Sequence, residues 1–116
     1  MRSAEQLIQS GLIGEALDTG PALIFVADEN MKYIAVNELA ATTLGYTRSE
    51  LLALHVTDVA RDPAAPAQYE EMLKLGRRTG TAMLTRRDGS EIEFEYRAGK
   101  TRIAGLDLYV SVGFVG

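Results

Sequence analysis

The feature that most constrains this fold is a change of hydrophobic period at Gly80. Before it, apolar residues recur mainly at helical spacing; after it, side chains alternate with a period of two. Residues 91–96 alternate charged and apolar side chains, and Asp88-Gly89 is a strong signal for a two-residue hairpin. Because such hairpins join antiparallel strands, we expect strands over 81–86, 91–96 and 106–115 to form an antiparallel sheet.

The segment before this change predicts two short strands and then several helices. Residues 22–27 form an apolar run typical of a buried strand, and 32–36 return as its hairpin partner. The helical signals that follow are caps. They are Asn37 before a helix that Gly45 ends, the capping box Thr47-x-x-Glu50 opening 48–54, a turn at 57–60, and Asp62-Pro63 opening 63–78.

The N-terminal segment predicts one more helix, over 3–18. Ser3-x-x-Gln6 is a capping-box pattern, and Gly20-Pro21 ends the helix. Its apolar residues suggest a single stripe that needs a partner surface. We therefore divide the chain into an amphipathic flanking helix over 1–18 and a domain over 19–116.

Composition excludes several classes of function. The 116 residues contain no cysteine, which excludes disulfides, thiolate metal sites and thiol nucleophiles, and fits a reducing compartment. The formal charge of −4 opposes nucleic-acid binding, and no apolar run is long enough to span a membrane. With one histidine and no phosphate-binding glycine loop, the chain shows no catalytic constellation. We expect a cytoplasmic domain that is not an enzyme and holds no metal.

Four segments in order resemble the PAS domain family of sensory modules. Residues 28–37 (DENMKYIAVN) resemble the family's first strand–turn–strand block, ending in asparagine. Residues 44–46 (LGY) and 49–52 (SELL) follow at the family's spacing, and 87–90 (RDGS) resemble the turn between its third and fourth strands. The resemblance runs from about Asp18 to Val115. Two residues depart from it: Met31 and Ala53 stand where the family usually has glycine.

The resemblance implies an α+β fold with a five-stranded antiparallel sheet in the order 2-1-5-4-3. The short helices and helix 63–78 would cover one face, with a ligand pocket or plain core between helices and sheet. The first helix would pack on the opposite face or against a second subunit. The family further implies signal transduction, as in two-component systems or transcription regulation, with an output domain outside this sequence.

The resemblance also bears on cofactors, and we expect neither heme nor flavin. Heme-binding relatives take an axial histidine from the helix matching 63–78, which has none here; the lone His55 lies in an earlier loop. The light-sensing branch bonds flavin to a cysteine, and that position is Val56 here. Leu84 and Phe94 stand where flavin binders place amides. We expect any ligand to be a small molecule other than these two cofactors.

Twelve residues from different elements are candidates to line the pocket. They are Phe25, Asn37, Tyr46, His55, Tyr69, Met72, Leu73, Leu84, Phe94, Tyr96, Tyr109 and Ser111. With hydroxyl groups and no fixed charge, such a pocket suits a small, largely apolar, uncharged ligand or a lipid tail. The alternative is that these aromatic residues are plain core and the domain is a ligandless module for homodimerisation or protein interaction.

The last strand carries an unbroken apolar face, and pattern alone does not say which way it points. The resemblance places Tyr109, Ser111 and Gly113 inward, which leaves that apolar face outside and in need of cover. The first helix supplies a matching stripe, from the same chain or a partner. We therefore expect a homodimer whose interface comprises Leu7, Ile8, Leu12, Ile13, Leu108, Val110, Val112 and Phe114.

Overall fold

A computed structural model describes residues 4–115 of the chain, which form five helices and five strands. In chain order they are α1 (Ala4–Asp18), β1 (Leu23–Ala27), β2 (Tyr33–Val36), α2 (Glu38–Leu44), α3 (Arg48–Leu51), α4 (Val56–Val59), α5 (Ala65–Leu75), β3 (Arg77–Thr85), β4 (Glu91–Ile103) and β5 (Leu106–Val115). This is the predicted order of an N-terminal helix, two strands, a group of helices and three strands.

The five strands form one sheet in the order β2-β1-β5-β4-β3, and every neighbouring pair is antiparallel. The first and last strands meet at the centre, where Phe25 of β1 lies opposite Ser111 of β5. On the other side of β5, Gly113 lies opposite Tyr96 of β4. The predicted sheet order and α+β class are confirmed.

The hydrophobic core lies between one face of this sheet and the short helices. Leu44, Leu51 and Val59, one from each of α2, α3 and α4, are fully buried. On the sheet side, the ring of Phe25 meets that of Phe94 edge-on, with centroids 5.5 Å apart. Edge-on aromatic pairs add attraction beyond the area they bury. This pair connects β1 and β4 on the face of the sheet that the helices cover.

The predicted caps of α2 and α3 are present. Asn37 accepts a hydrogen bond from the amide of Ala40, and Gly45 ends α2 in the left-handed conformation, with φ 80°. Thr47 and Glu50 form the reciprocal capping box of α3. The predicted helices differ only in extent, since α3 ends at Leu51 and α4 starts at Val56.

The boundaries of α5 were predicted too widely, at 63–78. Asp62 caps a preceding turn instead, because its carboxylate accepts from the amide of Ala64 at 2.8 Å. At the other end Gly76 adopts a left-handed conformation, and its amide donates to the carbonyl of Met72. A left-handed glycine terminates a helix, so the chain leaves α5 four residues before Gly80.

The strands β3 and β4 are longer than predicted. β3 begins at Arg77, and its first pair is Arg77 with Gly99. After β4, Ala104 and Gly105 make a tight turn in which both residues have positive φ. The result is a long hairpin of β4 and β5 that extends beyond the helical layer.

Helix α1 is confirmed, but its apolar residues do not form the predicted single stripe. None of its residues is buried, and Leu7, Ile8, Leu12 and Ile13 are 57–60% exposed. At about 100° per residue, Leu7 and Leu12 lie roughly 140° apart, so the apolar residues surround much of the helix. The predicted cap at Ser3 lies outside the described residues. No helix within 4–115 has the length and apolar character needed to cross a membrane.

Candidate functional site

A cavity with a volume of about 90 Å³ lies between the helical layer and the sheet. All five strands and helices α4 and α5 contribute to its wall. The lining residues are Phe25, Ala27, Tyr33, Val56, Ala60, Ala65, Gln68, Tyr69, Met72, Arg78, Ala82, Leu84, Phe94, Tyr96, Ala98, Tyr109 and Ser111. Five of these are alanines, and their small side chains leave the space open.

Eight of the twelve predicted pocket residues lie on the wall of this cavity. Six of them come from strands, where alternate residues share one face, and Tyr69 and Met72 come from one face of α5. The eight are Phe25, Tyr69, Met72, Leu84, Phe94, Tyr96, Tyr109 and Ser111. Their role in binding a ligand stays a prediction.

The other four predicted residues lie elsewhere. Asn37 is buried at the start of α2, where its side chain bonds backbone groups. Tyr46 packs against the edge of the core, and Leu73 is a half-buried residue of α5 away from the cavity wall. His55 precedes α4, with its side chain 48% exposed. Tyr46, Leu73 and His55 were assigned from the resemblance or from side-chain type, and neither property fixes the direction of a side chain.

The last strand points as the resemblance implied, since Tyr109 and Ser111 face the cavity. On its outer face, Val112 and Phe114 are 38% and 57% exposed, and Val110 is half-buried. Leu108 departs from the expectation because it is 7% exposed and so already covered within one chain. The exposed apolar residues of this face therefore lie at both ends of β5, since Leu106 at its start is 60% exposed.

Tyrosine hydroxyls supply much of the cavity's polarity. The Tyr69 hydroxyl donates to the carbonyl of Asp28 at 2.6 Å, which ties α5 to the turn after β1. The Tyr69 and Tyr109 rings meet edge-on, with centroids 5.8 Å apart. Burial raises the pKa of the Tyr33 and Tyr69 hydroxyls above the ordinary value, so both remain neutral.

The cavity also contains a charge that the sequence analysis missed, on Arg78. Its Nε donates to the Tyr96 hydroxyl at 2.9 Å, and its Nη1 donates to Glu71 of α5 at 3.0 Å. Arg78 was placed at the end of the helix predicted over 63–78, and β3 was predicted to begin at 81. Extending the alternation back from Leu84 and Ala82 would have placed Arg78 on the inner face. The expected pocket without fixed charge is wrong in this respect.

Two positions were expected to exclude flavin and heme chemistry, Val56 and His55, and only Val56 lies on the cavity wall. Val56 lines the cavity, so the residue matched to the flavin-bonding cysteine does face the interior. His55 does not line the cavity; its backbone amide donates to the Asp58 carboxylate at 2.8 Å. Among residues 4–115 no group of three or more potential metal-ligating side chains converges.

Comparison with known proteins agrees with this geometry. The family described as "PAS domain" matches residues 21–115. A PAS domain from a two-component sensor histidine kinase superposes with a TM-score of 0.84 at 14% identity, covering 96% of this chain and 99% of that one. The PAS domain of an HTR-like protein from Haloarcula marismortui gives 0.82 at 21% identity, covering 97% and 95%.

A third similar structure comes from work on a light-oxygen-voltage domain with a flavin analogue. It superposes with a TM-score of 0.74 at 21% identity, covering 91% of this chain and 84% of that one. No curated protein matches the sequence. At these identities, the structural similarity shows the shared fold.

Proposed function

This chain belongs to the PAS domain family, and from that premise we propose that it is a sensory domain that binds a small, largely apolar ligand in its internal cavity. Binding would change the geometry of α1 and the sheet and so reach an output domain or partner. We assign residues 1–18 to the flanking helix and 19–116 to the sensory domain.

The observation that carries this proposal is the cavity itself. A packed interior has few voids larger than a water molecule, whereas this one has about 90 Å³ lined mainly by apolar side chains. That volume is well below the roughly 300–1,000 Å³ of pockets for drug-sized ligands. The size supports a small ligand and opposes heme or flavin without rearrangement of the walls. We propose that neither cofactor is used.

A short route of hydrogen bonds supports coupling between the cavity and α1. Phe25 lines the cavity, and the amide of its neighbour Ile24 donates to Oδ1 of Asn37 at 3.0 Å. Nδ2 of Asn37 donates to the carbonyl of Leu17, in the last turn of α1, at 2.7 Å. A ligand shifts the equilibrium between two packings only by its different affinity for them. Through these hydrogen bonds, a ligand-dependent change in the packing around Phe25 would reach the flanking helix.

The exposed apolar residues of α1 and β5 support a second part of the proposal, homodimerisation. Exposed patches of large apolar side chains mark interaction sites. A second copy would cover Ile8, Leu12, Val112 and Phe114 without any ligand. The alternative function, a ligandless dimerisation or protein-interaction module, rests on this observation alone.

We propose no catalytic role and no direct nucleic-acid partner, consistent with the acidic composition. The structural relative from a sensor histidine kinase supports a kinase as the first candidate for output; a transcription regulator is the second. The absence of cysteine is compatible with a cytoplasmic location.

The test compares the masses of the purified chain under native and denaturing conditions. We expect a retained small molecule in the native spectrum. Ala82→Leu, which adds three carbon atoms to the cavity wall, should abolish retention, whereas the exposed control Ala53→Leu should preserve it. Equal masses for the wild-type chain, with Ala82→Leu raising the melting temperature, would instead support the ligandless module.

A further inference from the structure

The polar end of the cavity indicates what kind of ligand it takes. Arg78 is the one charged residue among the described residues that line it. Its side chain is 21% exposed, so most of the side chain is covered by surrounding residues. Placing a cation beside apolar walls is unfavourable unless an anion or several acceptors face it. The acceptors around Arg78 therefore decide which of its donors are left for a ligand.

Two of its nitrogens are engaged and the third is open. Nε donates to the Tyr96 hydroxyl and Nη1 to Glu71. The hydrogen bonds among residues 4–115 leave Nη2 of Arg78 without an acceptor. The Tyr96 hydroxyl receives the Nε bond, so its own proton remains available to donate. Two donors of the same site are thus unused.

These two donors converge on one point of the inner sheet face. Gly80 follows Arg78 on that face of β3, and a carbon attached to Gly80 would lie 3.8 Å from Nη2 and 3.7 Å from the Tyr96 hydroxyl. The Tyr96 ring is held by stacking on Phe94, at 5.6 Å between centroids and 15° between planes. The absence of a side chain at Gly80 keeps this point open.

The present partner of Arg78 is a weak competitor. The Glu71 side chain is 55% exposed on α5, and ion pairs with an exposed member contribute little, about 0–1 kcal/mol. A ligand carboxylate inside the cavity would meet the guanidinium with less solvent around it, where charge-assisted hydrogen bonds are stronger. Because Glu71 bonds only Nη1, an incoming acid can use Nη2 without displacing Glu71.

We propose that the cavity binds a small carboxylic acid, whose carboxylate accepts from Nη2 of Arg78 and from the Tyr96 hydroxyl. The aliphatic part lies against Phe25, Leu84 and Phe94. The volume limits that part to a few carbons, since a cavity of about 150 Å³ holds benzene. This inference rests on the proposed ligand-binding function and replaces an uncharged ligand with an anionic one.

The test uses butanoate, 1-butanol and butylamine, which share a four-carbon chain and differ in the end group. Binding to the 116-residue chain is followed by calorimetry and by the amide resonances of Ala82 and Ser111 on the cavity wall. We expect butanoate to bind about tenfold or more tightly than 1-butanol, and butylamine not to bind. A wild-type chain that prefers 1-butanol over butanoate would overturn the inference.

Matched variants separate the site from the charge of the protein. Arg78→Gln should remove the preference for butanoate, whereas Arg77→Gln, which removes the same charge on the opposite face of β3, should preserve it. Glu71→Gln should strengthen butanoate binding several-fold by removing the competitor. If Arg78→Gln does not fold, Tyr96→Phe removes one donor, keeps the ring and should weaken butanoate several-fold.

The outcomes distinguish this inference from the function beneath it. If 1-butanol shifts the amide resonances of Ala82 and Ser111 and butanoate does not, the cavity binds ligands but the inference of a carboxylic acid is wrong. An unchanged butanoate preference in folded Arg78→Gln has the same meaning. If neither compound perturbs these resonances at millimolar concentration, the inference fails, and equal native and denatured masses would then show that the sensory function fails with it.

Discussion

At the scale of single residues, Met31 is where local conformation and side chain disagree most clearly. It stands where the family usually has glycine, and its φ is 64°, in the left-handed region. In this region a residue with a Cβ has a conformational energy roughly 1–2 kcal/mol less favourable than in the right-handed region. The turn is nonetheless held, because the Met31 amide donates to Asp28 and its carbonyl accepts from Val56 at 2.7 Å. Backbone bonds from both sides therefore offset the strain.

Met31→Gly should raise the free energy of unfolding by about 0.5–1 kcal/mol. Glycine removes the left-handed penalty but adds backbone freedom to the unfolded chain, so the gain is smaller than the penalty. Asn30→Gly, one residue earlier and without positive φ, has only the entropic cost and should destabilise by a similar amount. Urea denaturation of the wild-type chain and of both variants measures these changes in the free energy of unfolding. A loss of stability in Met31→Gly would show that the Met31 side chain contributes packing that outweighs its backbone strain.

At the scale of elements, Asn37 joins three segments whose ends meet. Its Oδ1 accepts from the amides of Ile24 and Ala40, and its Nδ2 donates to the carbonyls of Leu17 and Ala22. Beside it, the Asp18 carboxylate accepts from the Glu38 amide and from Arg48 at 2.7 Å. The hydrogen bond from Arg48 is the main reason that the pKa of Asp18 is lowered. Together these contacts fasten the end of α1 to β1 and α2.

Asn37→Ala should reduce the free energy of unfolding by about 3 kcal/mol, since it removes a helix cap and leaves buried backbone groups without partners. The exposed Asn30→Ala should change it by less than about 0.5 kcal/mol. Amide exchange should accelerate at Ile24 and Ala40 in particular. Unchanged exchange at Ile24 in the variant would show that Asn37 caps α2 without joining it to β1.

Elements were predictable where a local signal defines them, and less so where the partner does. Asn37, Gly45 and the Thr47 capping box marked helix ends because their chemistry acts within four residues. The start of β3 had no such signal: residues 77–80 contain two arginines and a glycine, and they are extended because β4 pairs with them. Because the start of β3 was predicted too late, Arg78 was not recognised as the charged residue of the cavity. Eight residues of the cavity wall, Tyr96 among them, were therefore predicted, and the charged partner of Tyr96 was not.

At the scale of the whole molecule, the uncovered surface concentrates on α1 and the outer face of β5. Leu7, Ile8, Leu12 and Ile13 are each more than half exposed, and so is Phe114. Because the apolar residues surround α1, one flat partner surface would not cover them; a second helix together with a sheet face would. A two-fold dimer supplies both, since each copy brings its own α1 and β5 to the same interface.

We therefore expect the wild-type chain to sediment as a dimer at micromolar concentration, and Leu12→Glu to sediment as a monomer. A carboxylate at position 12 would be buried without a partner in the dimer and solvated in the monomer, so the substitution acts on association rather than folding. Leu75→Glu is the matched control, because Leu75 is 65% exposed at the end of α5, which covers the opposite face of the sheet from Val112 and Phe114. If Leu75→Glu dissociates the dimer and Leu12→Glu does not, α5 forms the interface. A wild-type monomer across the concentration range would leave α1 to be covered by another protein, and coupling from the cavity would then end at a different chain.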